Sequence, residues 1–262
     1  MMILPLEKGE TKGFPWGVYL AEAAGTAILL CVGLSLVILM FGAGSPIARL
    51  LPDENVRRPI TGFLFGTLGG LIALSPLGTR SGAHLNPVVT IAFRLAGKLE
   101  WKVVFFYIMA QLLGGIAGCL PLFAWGEMGR SVAFGATLPG AGFDTTSVFL
   151  GEVAATFTMI TLLVMFLAVR KIRRFTPAIF APIYSFLVWA EAPVSGTSTN
   201  PARTLGPALI SGRWDGWWIY WAGPLLGGVL ALAVCSFMVK RIEVAKLYHF
   251  DSDRDRLFRR KK

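Results

Sequence analysis

Charge is scarce in this sequence. Of 262 residues 15% are charged and 55% are hydrophobic, with a mean hydropathy of +0.63. A soluble domain usually carries about 25% charged residues, so a water-exposed globule is excluded. Cysteine is scarce too. Cys31, Cys119 and Cys235 sit in apolar stretches without a Cys-x-x-Cys or a nearby histidine, which excludes a disulfide framework or a thiolate metal centre. The chain has two histidines and three asparagines, and no Asn-x-Ser/Thr acceptor. With so few ligating and nucleophilic groups, neither a metal nor another cofactor is expected, and an enzyme lacks its constellation.

What is present is apolar length. A transmembrane helix needs roughly 20 mostly apolar residues, and six such stretches fit at 16–40, 59–78, 101–123, 147–169, 175–191 and 216–239. The first is not a cleaved leader: it is too long, lacks a basic start, and carries Glu22 where such a segment is uniformly apolar. The net charge of +10 is concentrated at Arg170, Lys171, Arg173 and Arg174, at Lys240, Arg241 and Lys246, and at Arg259, Arg260, Lys261 and Lys262. Charge placed between and after spans is a topology signal and not a nucleic-acid surface. It predicts a plasma-membrane protein with the 170–174 link and both termini in the cytoplasm and loop 124–146 outside. Arg49, Arg57 and Arg58 then fall outside, against the trend.

The chain resembles itself once. Glu22-Ala-Ala-Gly-Thr26 returns as Glu152-Val-Ala-Ala-Thr156, and Tyr107 with Leu112-Leu113-Gly114-Gly115 returns as Tyr220 with Leu225-Leu226-Gly227-Gly228. Each half holds three spans, and three is odd, so the second half enters from the opposite side. The expected architecture is an all-α membrane protein with an inverted 3+3 repeat, whose working site lies at mid-membrane. The single channel domain 1–262 then divides into a first repeat at 16–123, a second at 147–239 and a basic cytoplasmic tail at 240–262. Glycines four apart, Gly66/Gly70, Gly114/Gly118 and Gly223/Gly227, suit close helix crossings.

Two of the three asparagines, Asn86 and Asn200, are each followed by a proline and a short apolar run. Asparagine is a preferred N-cap and proline suits the first helical position, where its missing N–H costs nothing. Helices over 87–96 and 201–211 would reach about 15 Å, half of a ~30 Å hydrocarbon core. They are expected as re-entrant half-helices meeting N-terminus to N-terminus, each carboxamide capping its own backbone and leaving its NH₂ as a donor to passing water. Paired positive helix ends would repel protons and cations. Glu22 and Glu152 read as carboxyls bracing the two loops through backbone N–H groups, and His84 as a loop-packing residue.

Ser81-Gly-Ala-His-Leu-Asn86-Pro87-Val88-Val89-Thr90 and Asn200-Pro201-Ala202-Arg203 resemble the paired signature of the aquaporin and glycerol-facilitator family, and the resemblance covers nearly the whole chain. It implies six spans plus two half-helices and a homotetramer with one pore per subunit. Asn86, Pro87, Val88, Asn200, Pro201 and Ala202 would form the pore centre. Arg203, Val188 and Thr197 would form the selectivity filter, with Phe65 or Gly66 as its fourth wall. One departure stands: Val88 replaces the usual alanine and adds bulk where the half-helices meet.

Subtype features diverge. Thr204 and Ala208 stand where glycerol channels carry an acid and a base, and Tyr220-Trp221 resembles the aromatic pair of water channels. Val188 stands where strict water channels place histidine, implying a wider and less polar constriction. The expected function is a passive channel in the lipid bilayer for water and small neutral solutes, with a glycerol, urea, ammonia or peroxide facilitator and a six-span ion-coupled transporter as alternatives.

Overall fold

In lipid a backbone must satisfy its own N–H and C=O groups, so uninterrupted apolar runs become helices. A computed structural model describes residues 14–239 and 242–258. The basic residues Lys240, Arg241, Arg259, Arg260, Lys261 and Lys262 and the N-terminal residues 1–13 lie outside the described residues. Eight principal helices follow in chain order: α1 Trp16–Phe41, α2 Glu54–Leu74, α3 Pro87–Leu95, α4 Trp101–Cys119, α5 Thr145–Ala168, α6 Thr176–Ser195, α7 Pro201–Ser211 and α8 Ile219–Met238. Short helical turns occupy the links, and there is no strand among the described residues. The fold is six spans plus two half-helices in an inverted 3+3 repeat.

Helix ends follow local chemistry. The second span starts at Glu54, five residues before the expected 59, because Asp53 caps it by accepting from Asn55 N at 2.8 Å. It stops at Leu74 because Ser75 caps a separate short helix, Pro76–Ser81. The sixth helix runs four residues past the expected 191, to a left-handed Gly196. By length and composition five spans are apolar enough to cross a membrane. α2 is more polar, with Glu54, Arg57 and Arg58 in its first turns. These arginines, out of place by the charge rule, are employed locally. Arg57 donates to Met40 O and Pro52 O and lies over the Phe41 ring, and Arg58 pairs with Glu54 at 2.6 Å.

Glycine stripes set the crossings. A Cβ at Gly62, Gly66 or Gly70 of α2 would strike the carbonyl oxygens of Tyr184, Phe180 and Pro177 in the α6 region. Gly114 and Gly118 of α4 lie in the same way on Ala23 and Ala27 of α1, and Gly223 and Gly227 of α8 on Glu152 and Val153 of α5. The exterior is apolar, with Leu20, Phe105, Leu113, Leu150, Phe186 and Phe237 all exposed, as a lipid-facing surface requires. At one end, called inner here, the 170–174 link meets the C-terminal segment through Arg173–Glu243 at 3.1 Å and Arg170–Glu243 at 3.6 Å. At the other, outer end, the loop bearing Gly135 reaches Arg203.

Candidate functional site

The half-helices are nine and eleven residues long. Asn86 Oδ1 accepts from Val88 N at 2.8 Å, and Asn200 Oδ1 accepts from Ala202 N at 3.0 Å and Arg203 N at 3.4 Å. The caps are as expected; the NH₂ groups are not wholly free. Asn86 Nδ2 donates to Thr199 O and Asn200 Nδ2 to Leu85 O, both at 2.9 Å. Each carboxamide thus spends one N–H on tying its loop to the opposite loop and has a second N–H left to donate. The tie locks the two half-helix ends together at the centre.

Presenting those carbonyls takes unusual backbone. Ala83 and Leu85 before Asn86, and Thr197 and Thr199 before Asn200, all have φ between 50° and 54°. Left-handed conformations are rare for non-glycine residues and rarer for β-branched ones, and they gather where function over-determines the chain. Two buried carboxyls hold this geometry. Glu22 Oε1 accepts from Leu85 N at 2.5 Å and Gln111 Nε2 at 2.8 Å. Glu152 Oε1 accepts from Ser198 N and Ser195 Oγ, both at 2.6 Å, and Oε2 from Thr199 N at 2.9 Å. His84 packs in its loop, stacked on Phe93, with Nδ1 3.1 Å from Thr90 Oγ1.

Two cavities flank the asparagines. The outer one, about 280 Å³, is lined by Arg203, Val188, Thr197, Phe65 and Asn200 together with Arg58 and Thr61. The inner one, about 50 Å³, is lined by Asn86, Asn200, Phe65, Gly66, His84 and Leu247, among others. Leu29, Phe65, Tyr184 and Asn200 line both and mark the junction. Arg203, 8% exposed, is held by Nη1 donating to Gly135 O at 2.6 Å.

The structure adds detail to the sequence-derived residues. Pro87, Val88, Pro201 and Ala202 line neither cavity; they are buried behind the asparagines. Val88 puts its bulk against α8, where a Cβ on Gly228 would come within 2.6 Å of its Cγ1, so the missing side chain at Gly228 accommodates the valine. Of the two candidate fourth walls, Phe65 spans both cavities, while Gly66 reaches only the inner one and backs onto Phe180 O. A third acid also lies within a span. α6 extends past Glu191, whose buried carboxyl interacts with Ser195 and Thr197.

Sequence reasoning missed Tyr184, Thr61 and Leu29. Tyr184 lies one helical turn before Val188 on the same face of α6, and that spacing could have found it. Its hydroxyl meets Thr199 Oγ1 at 3.0 Å, and its ring centroid lies 6.1 Å from that of Phe65.

The chain matches the family described as major intrinsic protein over residues 10–235. It is 34% identical over 224 residues to Aquaporin Z of Rhodopseudomonas palustris, covering 81% of this chain and 89% of that protein. It is 32% identical over 194 residues to Aquaporin NIP1-1 of Zea mays, covering 73% and 67% respectively. A 35% identical match to the probable aquaporin TIP3-2 of Arabidopsis thaliana covers 61% of this chain and 60% of that one. Its fold is that of the aquaglyceroporin from Plasmodium falciparum, with a TM-score of 0.69 at 20% identity over 86% of this chain and 98% of that chain.

Proposed function

The chain belongs to the major intrinsic protein family, a family of channels and not of enzymes, and on that premise we propose a passive pore for water, and for small neutral solutes beside it, that turns back protons and ions. One observation carries this reading: an outer and an inner cavity lie on either side of Asn200 and share it as a wall, with Asn86 lining the inner one. Water there accepts from the remaining N–H of each carboxamide, while Leu29, Phe65 and Tyr184 offer mainly apolar walls. Its oxygen is fixed toward the asparagines, and its hydrogens point away along the file. The positive N-termini of α3 and α7 and the guanidinium of Arg203 disfavour any cation at that point.

Arg203, Val188, Thr197 and Phe65 act as the filter in this reading, with Gly66 behind it. Asn86 and Asn200 form the pore centre, supported from behind by Pro87, Val88, Pro201 and Ala202. Glu22, Glu152 and His84 act as loop braces. The repeats 16–123 and 147–239 compose one channel domain, followed by the tail 240–262. The pore sits in the plasma membrane with both termini and the 170–174 link cytoplasmic, supported by the clustered Arg170, Lys171, Arg173 and Arg174. The assembly is a homotetramer, supported by the broad apolar exterior.

Neutral-solute passage is favoured by Val188, which lines the outer cavity beside Arg203 and Thr197. A carbon edge can lie on the valine while a hydroxyl or amide meets the polar pair. Stopped-flow light scattering on proteoliposomes should show water flux first and weaker urea or glycerol flux second. Val188→His should lower the solute flux several-fold, by adding bulk and a polar group, with a smaller effect on water. Wild-type solute flux at the lipid background, with water flux intact, would reduce the reading to a strict water channel.

A further inference from the structure

The inner cavity has one wall that neither half of the repeat supplies. Residues 242–258 run back across the inner end and set Leu247, 5% exposed, among Ala83, His84, Leu85, Asn86 and Val89. This placement is anchored on the first Asn-Pro loop itself. Leu247 N donates to Gly82 O at 3.0 Å, and His84 Nε2 meets Ala245 O at 2.9 Å. Lys246 Nζ donates to Thr79 O at 2.9 Å and also to Ser252 O, and Ser252 Oγ donates to Thr79 O at 3.1 Å. Farther along, Asp255 pairs with Arg80 at 3.3 Å, and the Phe258 ring lies 6.3 Å from His84 and 6.5 Å from Tyr107.

We propose that this C-terminal strap is the inner gate of the pore, with Leu247 as its occluding residue. The inference rests on the pore reading above and adds a moving part to it. Two observations support occlusion. The cavity that Leu247 lines is about 50 Å³, against about 280 Å³ outside, and an apolar side chain at a constriction gates water by dewetting. Two more support release. Beside the Thr79 and Arg80 contacts, a cavity of about 320 Å³ lies between strap and body, with Val18, Leu74 and Pro76 on one side and Asp253, Arg254 and Asp255 on the other. Within the strap His249 and Arg256 hold left-handed backbone, at φ 53° and 50°, a conformation kept only while contacts enforce it. When the strap lifts, Gly82 O and His84 Nε2 lose their partners together, so the gate and the loop bearing Asn86 are mechanically one unit.

The test uses the full chain in proteoliposomes, with water permeability measured per incorporated channel. Leu247→Ala, which keeps every backbone anchor, should raise permeability roughly twofold, and Leu247→Trp should lower it toward the lipid background. Asp255→Arg places like charges at the Arg80 contact and should also raise permeability roughly twofold, and adding Arg80→Asp should restore the wild-type value. Wild-type permeability in both Leu247 variants, with the protein folded and incorporated, would overturn the gate while leaving the pore standing. Background permeability in every form, Leu247→Ala included, would overturn the pore reading itself.

Discussion

Replacing Glu152 with glutamine is expected to lower thermal stability in mild detergent far more than the same change at Glu22. The two carboxyls are related by the repeat, yet they are loaded differently. Both oxygens of Glu152 accept, one from Ser198 N and Ser195 Oγ and the other from Thr199 N. Whichever oxygen becomes an NH₂, it faces an N–H group, and a buried donor is left unpaired. Losing one hydrogen bond to a buried acceptor costs about 1–3 kcal/mol, and the donor–donor contact adds to it. At Glu22 the well-formed hydrogen bonds converge on Oε1, from Leu85 N and Gln111 Nε2, while Ser81 and the His84 N–H interact with the same carboxyl outside ordinary hydrogen-bond geometry. A glutamine there can keep its oxygen at Oε1 and turn its amine to the less tightly held side, where the Ser81 hydroxyl can rotate to accept. Parallel unfolding curves decide the matter, and equal shifts for the two variants would contradict the asymmetry. Because Ser198 and Thr199 immediately precede Asn200, the Glu152 variant should also lose water permeability in the fraction that remains folded.

Phe65→Ala should raise glycerol flux by about tenfold, equivalent to removing about 1.4 kcal/mol from the barrier, while water flux changes little. Phe65 and Tyr184 are the two aromatic walls common to both cavities, their ring centroids 6.1 Å apart, and only Tyr184 is fixed by a hydrogen bond to the second Asn-Pro loop. Water already passes such a junction by hydrogen bonding to the asparagines, so space is not its principal barrier; for a three-carbon solute it is. Gly66→Ala should do something different. Its Cβ would meet the Phe180 carbonyl, prise α2 from α6 and cost stability without widening the lumen. Glycerol uptake assays that find the gain in Gly66→Ala and none in Phe65→Ala would reverse the assignment.

Much of this was legible in the sequence because it rests on chemistry that residue type alone dictates. Asn-Pro announces a capped helix start, a paired Glu announces a carboxyl that must find donors, and glycines four apart announce helices in close contact. What stayed hidden depended on direction. No residue type signals left-handed backbone at Leu85 or Thr199, since sequence preference argues against it; the carboxyl braces and the crossed amides impose it. Val88 read as an obstruction because its position was known and its orientation was not, and Gly228, which makes room for it, lies in another repeat. Phe65 and Gly66 both stayed open as the fourth wall because adjacent residues on a helix differ in direction, which residue type does not report. Leu247 carried no signal at all: a leucine in a charged tail becomes a pore wall only through contacts with Gly82 and His84.

The central claim, a water file held at Asn86 and Asn200 with protons excluded, is tested most directly by measuring both fluxes on the same vesicles. Proteoliposomes carrying a pH-sensitive dye are shrunk osmotically to read water permeability and then exposed to a pH step. The account predicts water permeability well above the lipid background and a proton leak indistinguishable from it. A proton leak that rises in proportion to water permeability as more protein is incorporated would contradict the account.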